Sequence, residues 1–279
     1  MPISTVIYLI PTEDVLLRPT MGHHAHAAFL SLLKAGNPQT ANEIHAASGQ
    51  KPFTVSPLIA KTERCGDHLR IRAGTECWLR FTFLLDELFS DFGSAFLTSQ
   101  RLPQIRLGEA TFEVSRIISS DGETPSWSGN TTYEQLMESA QTKHQIHLRF
   151  YSPTAFRQMT PRGQKTRNQA MIDLVRCYQS WINKWNAFAP VPIDKQTMLE
   201  FIGDYAEVIK YDARTRMLDF GNHKEIGFVG QCTYGFPTPN SGSEAQIWMA
   251  NVLADFAFYC GTGYKTTMGM GQTRRSRRR

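Results

Sequence analysis

A β-branched and apolar run from Ser4 to Ile10 reads as a strand, and after Pro11 and Pro19 the pattern changes to helical spacing. From about His23 to Lys34 the residues Ala25, Phe29 and Leu32 form one apolar stripe, which Gly36 can end. Asn37 and Pro38, a capping residue followed by proline at the first helical position, start a second, short helix that should stop near Gly49. Val55 to Ile59, Leu69 to Ile71 and Cys77 to Leu84 then read as strands, Asp86 to Leu97 as a helix and Ala110 to Ile118 as a strand. The order is β-α-β-β-α-β with one extra short helix.

Ser119 to Asn130 is polar and contains Asp121-Gly122, Pro125 and Ser128-Gly129, the composition of a linker. A second cycle follows. His147 to Tyr151 is a strand, Asn168 to Phe188 a long helix, and Ala206 to Tyr211, Arg216 to Phe220 and Ile226 to Gly235 are strands. A helix from Glu244 to Tyr259 and a short strand near Thr266 to Met270 complete it. The expected fold class is therefore α+β, two tandem ferredoxin-like (RRM-like, split β-α-β) domains spanning 1–125 and 140–279. Trp181 and Trp185, four apart on an apolar helix, are expected in the core.

Composition narrows the function. With 279 residues, 41% hydrophobic and 20% charged, the chain can bury the cores of two small domains. Its net charge of +5 equals the contribution of five tail arginines, Arg274, Arg275, Arg277, Arg278 and Arg279, so the body is formally neutral. Positive charge is instead local. Lys143, Arg149, Arg157, Arg162, Lys165, Arg167, Arg176 and Lys184 face only Asp173 between positions 143 and 184, a stripe suited to a polyanion. Five scattered cysteines with no C-x-x-C pair indicate neither a disulfide framework nor a cysteine zinc site, and point to a reducing cytoplasm. No segment has the length or apolarity of a membrane span or a secretory signal.

Chemistry concentrates in Gly261-Thr-Gly263-Tyr-Lys265-Thr-Thr-Met-Gly269-Met-Gly271. It follows a helix and lacks the Walker lysine spacing, which excludes a dinucleotide fingerprint or P-loop. Glycines there permit close approach of backbone N–H groups to phosphate, with Lys265 adding charge; the alternative is a turn before the last strand. With Lys51-Pro-Phe-Thr-Val-Ser-Pro-Leu58, Phe150-Tyr-Ser-Pro-Thr-Ala-Phe156 and Gly227-Phe-Val-Gly230, this segment resembles the CRISPR-associated repeat-RNA processing endoribonucleases, the Cas-six family of the RAMP superfamily. The resemblance implies a metal-independent endoribonuclease without cofactor. It would bind CRISPR repeat RNA and cut it by 2′-hydroxyl attack, leaving a 2′,3′-cyclic phosphate and a 5′-hydroxyl. A catalytically silent RNA-binding subunit of a CRISPR effector complex is the alternative, and a homodimer is compatible with either.

The family's histidine typically lies shortly before a lysine on the loop after the short helix, and His45 and Lys51 occupy those places. Histidine suits proton transfer, and the end of a helix would favour its imidazolium, so His45 is expected as the acid with Lys51 steadying the phosphorane. The alternative is a surface histidine beside a solvated lysine. The family's tyrosine on the first helix would fall near Leu30, so His26, from the cluster His23, His24 and His26, is the candidate replacement; the same cluster with Cys65 or Cys77 could be read as a metal site, but it lacks zinc-motif spacing. Expected RNA contacts are Arg157, Arg162, Lys165 and Arg167, Lys265, and the backbone at Gly261, Gly263, Gly269 and Gly271.

Overall fold

Strand β1 (Ile3–Pro11) is buried along almost its whole length, as a central strand covered by helices must be. It belongs to a computed structural model that describes residues 1–97, 103–120, 127–158, 167–220, 223–237 and 243–276. The chain divides into two compact units. The first comprises Met1–Thr131 with Asp219–His223 and Thr267–Gly269; the second comprises Thr132–Leu218, Lys224–Thr266 and Met270–Arg279.

In the first unit, β1 is followed by β2 (Val15–Leu17), α1 (Gly22–Gly36), α2 (Pro38–Ala46), β3 (Phe53–Val55), β4 (Ile59–Ala60), β5 (Glu63–Cys65), β6 (His68–Ile71), β7 (Cys77–Phe83), α3 (Asp86–Leu97), β8 (Gln104–Leu107), β9 (Ala110–Ile118) and β10 (Gly129–Asn130). The main sheet runs β3-β7-β1-β9-β8, entirely antiparallel. Strands β3, β7, β1 and β9 stand in the ferredoxin-like order, with α1 and α3 as its two helices. Phe29 of α1 is fully buried, with its ring 4.1 Å from Phe53 and within 6 Å of Phe81, Phe83 and Phe92. This aromatic cluster locks α1 onto the sheet.

The second unit contains α4 (Tyr133–Ser139), β11 (Gln145–Thr154), β12 (Phe156–Arg157), β13 (Asn168–Gln169), α5 (Leu174–Phe188), α6 (Lys195–Tyr205), β14 (Glu207–Asp219), β15 (Lys224–Gly235), α7 (Glu244–Cys260) and β16 (Thr273–Arg275); between the last two lies a 3₁₀ turn (Thr266–Met268) whose Thr267 and Met268 belong to the first unit. The second unit's sheet order, β14-β15-β11-β16, is again ferredoxin-like. Trp181 and Trp185 are core residues, as their spacing predicts, and the Trp181 indole donates to Thr262 Oγ1 at 2.9 Å.

Five segments differ from the pattern-based expectation. The strand expected at Val55 to Ile59 is broken around Pro57, which has no N–H to donate, so β3 ends at Val55 and β4 begins at Ile59. The helix expected from Asn168 starts at Leu174, because Asp173 caps it by accepting from the Arg176 N–H, while Asn168 and Gln169 pair with β12. The strand expected at Thr266–Met270 is the 3₁₀ turn, and the strand lies at Thr273–Arg275 beyond the positive-φ Gly269 and Gly271. The stretches 206–211 and 216–220 belong to one strand, Glu207–Asp219, since no glycine or proline separates them. The expected linker is partly sheet: β10 pairs with β1, and the Trp127 carbonyl accepts from Ser4 Oγ and Arg80 Nε; positions 121–126 lie outside the described residues. Helices α4 and α6 escaped the periodicity reading, although both carry capping side chains, a Thr132–Gln135 capping box and Asp194.

Close backbone packing at the start of α1 makes one position unusually sensitive. A Cβ on Gly22 would lie 1.9 Å from the Met268 carbonyl oxygen, whereas one on Gly93 in α3 meets nothing within 4 Å. Gly22→Ala is therefore expected to lower the melting temperature, and Gly93→Ala to stabilise by about 0.5–1 kcal/mol through helix propensity. Thermal denaturation of the two variants checks both signs.

Candidate functional site

Asn37 joins the two helices that carry the candidate residues. Its Oδ1 accepts from the Gln39 and Thr40 N–H groups, capping α2, while its Nδ2 donates to Asp91 of α3 at 3.1 Å. The Thr40 hydroxyl reaches the same carboxylate at 2.6 Å. So anchored, α2 ends at Ala46 with His45 exposed in its last turn. Lys51 then folds back on that end. Its Nζ donates to the Ile44 and Ala47 carbonyls, both at 2.6 Å, satisfying groups a helix C-terminus leaves open.

His26 projects from the first turns of α1 toward the same region. Its Nδ1 lies 3.0 Å from the Thr267 carbonyl oxygen, and its ring stacks on Phe53 at 5.7 Å. A carbonyl only accepts, so Nδ1 carries the proton and Nε2 presents a lone pair when the ring is neutral. Burial pushes the His26 pKa below its usual value of 6.5. The Thr267 contact opposes that shift, and the charges of Lys51 and His45 reinforce it. The fold thus brings His26, His45 and Lys51 into one electrostatic neighbourhood.

The other two histidines of the cluster go elsewhere. His24 lies beside Gly108 and lines a cavity of about 450 Å³ with β8 residues. The His23 ring sits 3.8 Å from His24 and 6.2 Å from Phe220, and its Nδ1 is buried without a hydrogen bond. Burial is the largest cause lowering both pKa values. Leu30, at the expected tyrosine position, packs half-buried against the core. Among the described residues no group of three or more His, Cys, Asp or Glu is placed to hold a metal ion. Cys65 is exposed, while Cys77 is buried with its thiol pushed up to about 11.

The glycine-rich segment is packed rather than open. The Gly261, Gly263, Gly269 and Gly271 N–H groups donate to Ala257 O, Ser180 Oγ, Val55 O and Pro153 O. A phosphate cradle built on these four donors, as the sequence suggested, would first have to break them. Lys265 is likewise engaged: its Nζ pairs with Glu225 at 2.8 Å, and both side chains are nearly buried. Lys184 of the basic stripe is buried too, donating to the Cys260 carbonyl and to Thr266 Oγ1, with its pKa lowered to about 8 by desolvation. Both lysines thus hold the segment in place.

The rest of the stripe is more accessible. Arg157 and Arg167 are exposed, the former with its guanidinium 5.1 Å from the Tyr264 ring centre; Arg162 and Lys165 lie outside the described residues. Of the tail arginines, Arg275 is part of β16 and pairs with Asp255 at 3.0 Å, Arg274 covers the Phe258 ring, and 277–279 lie outside the described residues. Arg214 and Arg216, overlooked in the sequence, join Arg149 around a cavity of about 420 Å³. Their spacing of two along an uninterrupted strand was the available signal.

A family model described as the CRISPR Cas6 N-terminal domain matches residues 1–138, and one described as CRISPR-associated endoribonuclease Cas6 matches residues 148–273. Among solved structures, Thermus thermophilus Cas6 is 27% identical with a TM-score of 0.71, over 99% of this chain and 98% of that one. The same protein in a product complex gives a TM-score of 0.81 at 27% identity, over 99% and 100%. A Cas6-related protein from Pyrococcus furiosus, 16% identical and covered in full on both sides, shares the fold with a TM-score of 0.69. No curated protein matches.

The burial of His26 generates a direct expectation. Its imidazole should titrate below pH 6.5 with Nδ1 protonated in the neutral form, which ¹⁵N-edited NMR of the ring reads. A depressed histidine pKa also means that the unfolded chain binds more protons, so its contribution to stability falls as pH drops below 6.5. Titration at or above 6.5 would overturn the buried, neutral assignment.

Proposed function

The chain belongs to the Cas6 family of CRISPR-associated endoribonucleases, and we propose that it binds a CRISPR repeat RNA and cuts it once by internal transesterification. The 2′-oxygen upstream of the cut attacks the phosphorus, the bond to the 5′-oxygen breaks, and the products carry a 2′,3′-cyclic phosphate and a 5′-hydroxyl. Two protons move in that step. One leaves the attacking hydroxyl, and one must reach the departing oxygen.

The observation that carries this reading is the His26 contact with Thr267, because it leaves Nε2 as a lone-pair acceptor on a ring that burial keeps neutral. His26 is the general base. His45, exposed on the carbonyl end of α2, is the general acid. Lys51 spends two of its three donors on that helix end, and the third supplies charge to the non-bridging oxygens of the phosphorane. Arg157 and Arg167, exposed on the second unit, contact phosphates and position the RNA without reading its sequence.

A single 2′-deoxynucleotide upstream of the cut should abolish cleavage of repeat RNA in the presence of chelator and leave affinity nearly intact; cutting of that substrate at the normal rate would sink the mechanism. His26→Ala and His45→Ala should each slow single-turnover cleavage by about 10²- to 10⁴-fold with little change in affinity. The pH profile separates their roles. The wild-type rate should fall on the acid side as His26 is protonated, and the residual activity of His26→Ala should lack that limb. A normal rate in His26→Ala would remove it from the chemistry and leave the reaction class standing.

A further inference from the structure

The motif Gly227-Phe-Val-Gly230 takes no part in the proposed proton transfers, yet it shapes the open face of the second unit's sheet. On β11, Leu148 and Phe150 are buried whereas Arg149 and Tyr151 are exposed, so the sheet has one covered and one open face. Arg149 stands opposite Gln231 of β15, and Phe150 opposite Gly230. Edge strand β14 supplies Asp212, Arg214 and Arg216, each two residues apart and therefore on one face. These side chains ring the cavity of about 420 Å³, within the usual range of small-ligand sites, which begins at about 300 Å³.

Gly230 makes that cavity possible. Its φ is +144°, and a Cβ there would fall 2.0 Å from the Asp212 carbonyl oxygen. Only glycine lets β14 approach β15 this closely while carrying its arginines over the open face. Three arginines and one aspartate thus line a single cavity, and none of the four forms an ion pair among the described residues. Arg149 covers part of the Tyr151 ring at 4.8 Å, and 45% of that residue remains exposed.

We propose that this face is a nucleotide subsite for single-stranded RNA, in which Tyr151 stacks a base, Arg214 and Arg216 hold its flanking phosphates, and Asp212 accepts from an exocyclic amino group. The proposal rests on the repeat-RNA reading above but assigns residues remote in sequence from His26, His45 and Lys51. Stacking on an exposed aromatic and phosphate contacts to arginine are the two ingredients of single-strand binding. Asp212 adds selectivity. Cytosine offers an N4 amino donor where uracil has a carbonyl, so the carboxylate favours the former and repels the latter.

The test uses the full chain with short oligocytidine and oligouridine probes and, separately, its repeat RNA. Oligocytidine should bind about tenfold more tightly than oligouridine, and Asp212→Ala should erase the difference. Tyr151→Ala should weaken oligocytidine binding by about tenfold, whereas Tyr151→Phe, which keeps the ring, should not. Arg214→Ala with Arg216→Ala should reduce the slope of log affinity against log salt by about 1.4, the release expected for two single-strand phosphates. Unchanged oligonucleotide affinity and salt slope in the tyrosine and arginine variants, or equal binding of the two probes by the wild type, would overturn the subsite. Because oligonucleotide binding is read without cleavage, a protein that shows the subsite but never cuts its repeat overturns the nuclease reading alone.

Discussion

The first unit depends on an approach between two backbones that no side chain could tolerate. Helix α1 begins at Gly22 directly against the Met268 carbonyl, and Gly269, with φ of +87°, turns the chain there so that its N–H reaches Val55 of β3. Any Cβ at Gly22 would push that segment away. The adjacent Thr267 carbonyl would then lose the His26 imidazole, and with it the hydrogen bond that selects the tautomer. The same contact is thus packing, helix start and proton placement at once.

Electrostatics divides the histidines by their surroundings rather than by their identity. His26 is stacked on Phe53 and largely screened from water, so its charged form is disfavoured; His45 is exposed in the last turn of α2. The proposed base and acid thus share a residue type and differ in environment, an arrangement by which a fold can run both halves of a proton exchange. Lys51 links them, since it both closes α2 and adds to the field that keeps His26 neutral.

Much of the fold was legible because apolar periodicity and turn chemistry agree with it: α3 and β9 have the bounds read from the sequence, and the apolar stripe of α1 (Ala25, Phe29, Leu32) is buried as its spacing predicts. Periodicity failed where capping decides. Asp173 postpones the start of α5, and α4 and α6 are short helices announced by Thr132 and Asp194 more than by their apolar faces. For the candidate site, the family resemblance picked out His45 and Lys51, and helical phase relative to Leu30 ranked His26 above His24. They could not show which of three clustered histidines faces the other two, because helical phase alone does not reveal what each face meets. Charge counting was the least dependable guide. Lys184 and Lys265 contributed to a basic count, yet both are nearly buried on oxygen partners, whereas Arg214 and Arg216 entered no count and stand exposed.

His26 and the carbonyl that orients it are 241 positions apart in the chain. Loop-closure entropy rises with the logarithm of that separation, by about 0.6 kcal/mol for each doubling, and contacts so distant form late in folding. The helices carrying His26 and His45 are local structures that can be present early, but the tautomer of His26 is set only when the segment at Thr267 docks. Release of this segment alone would leave the His26 tautomer unset. On the proposed roles, proton-transfer competence is therefore a readout of complete folding, and an intermediate with both histidines already on their helices would lack the oriented base.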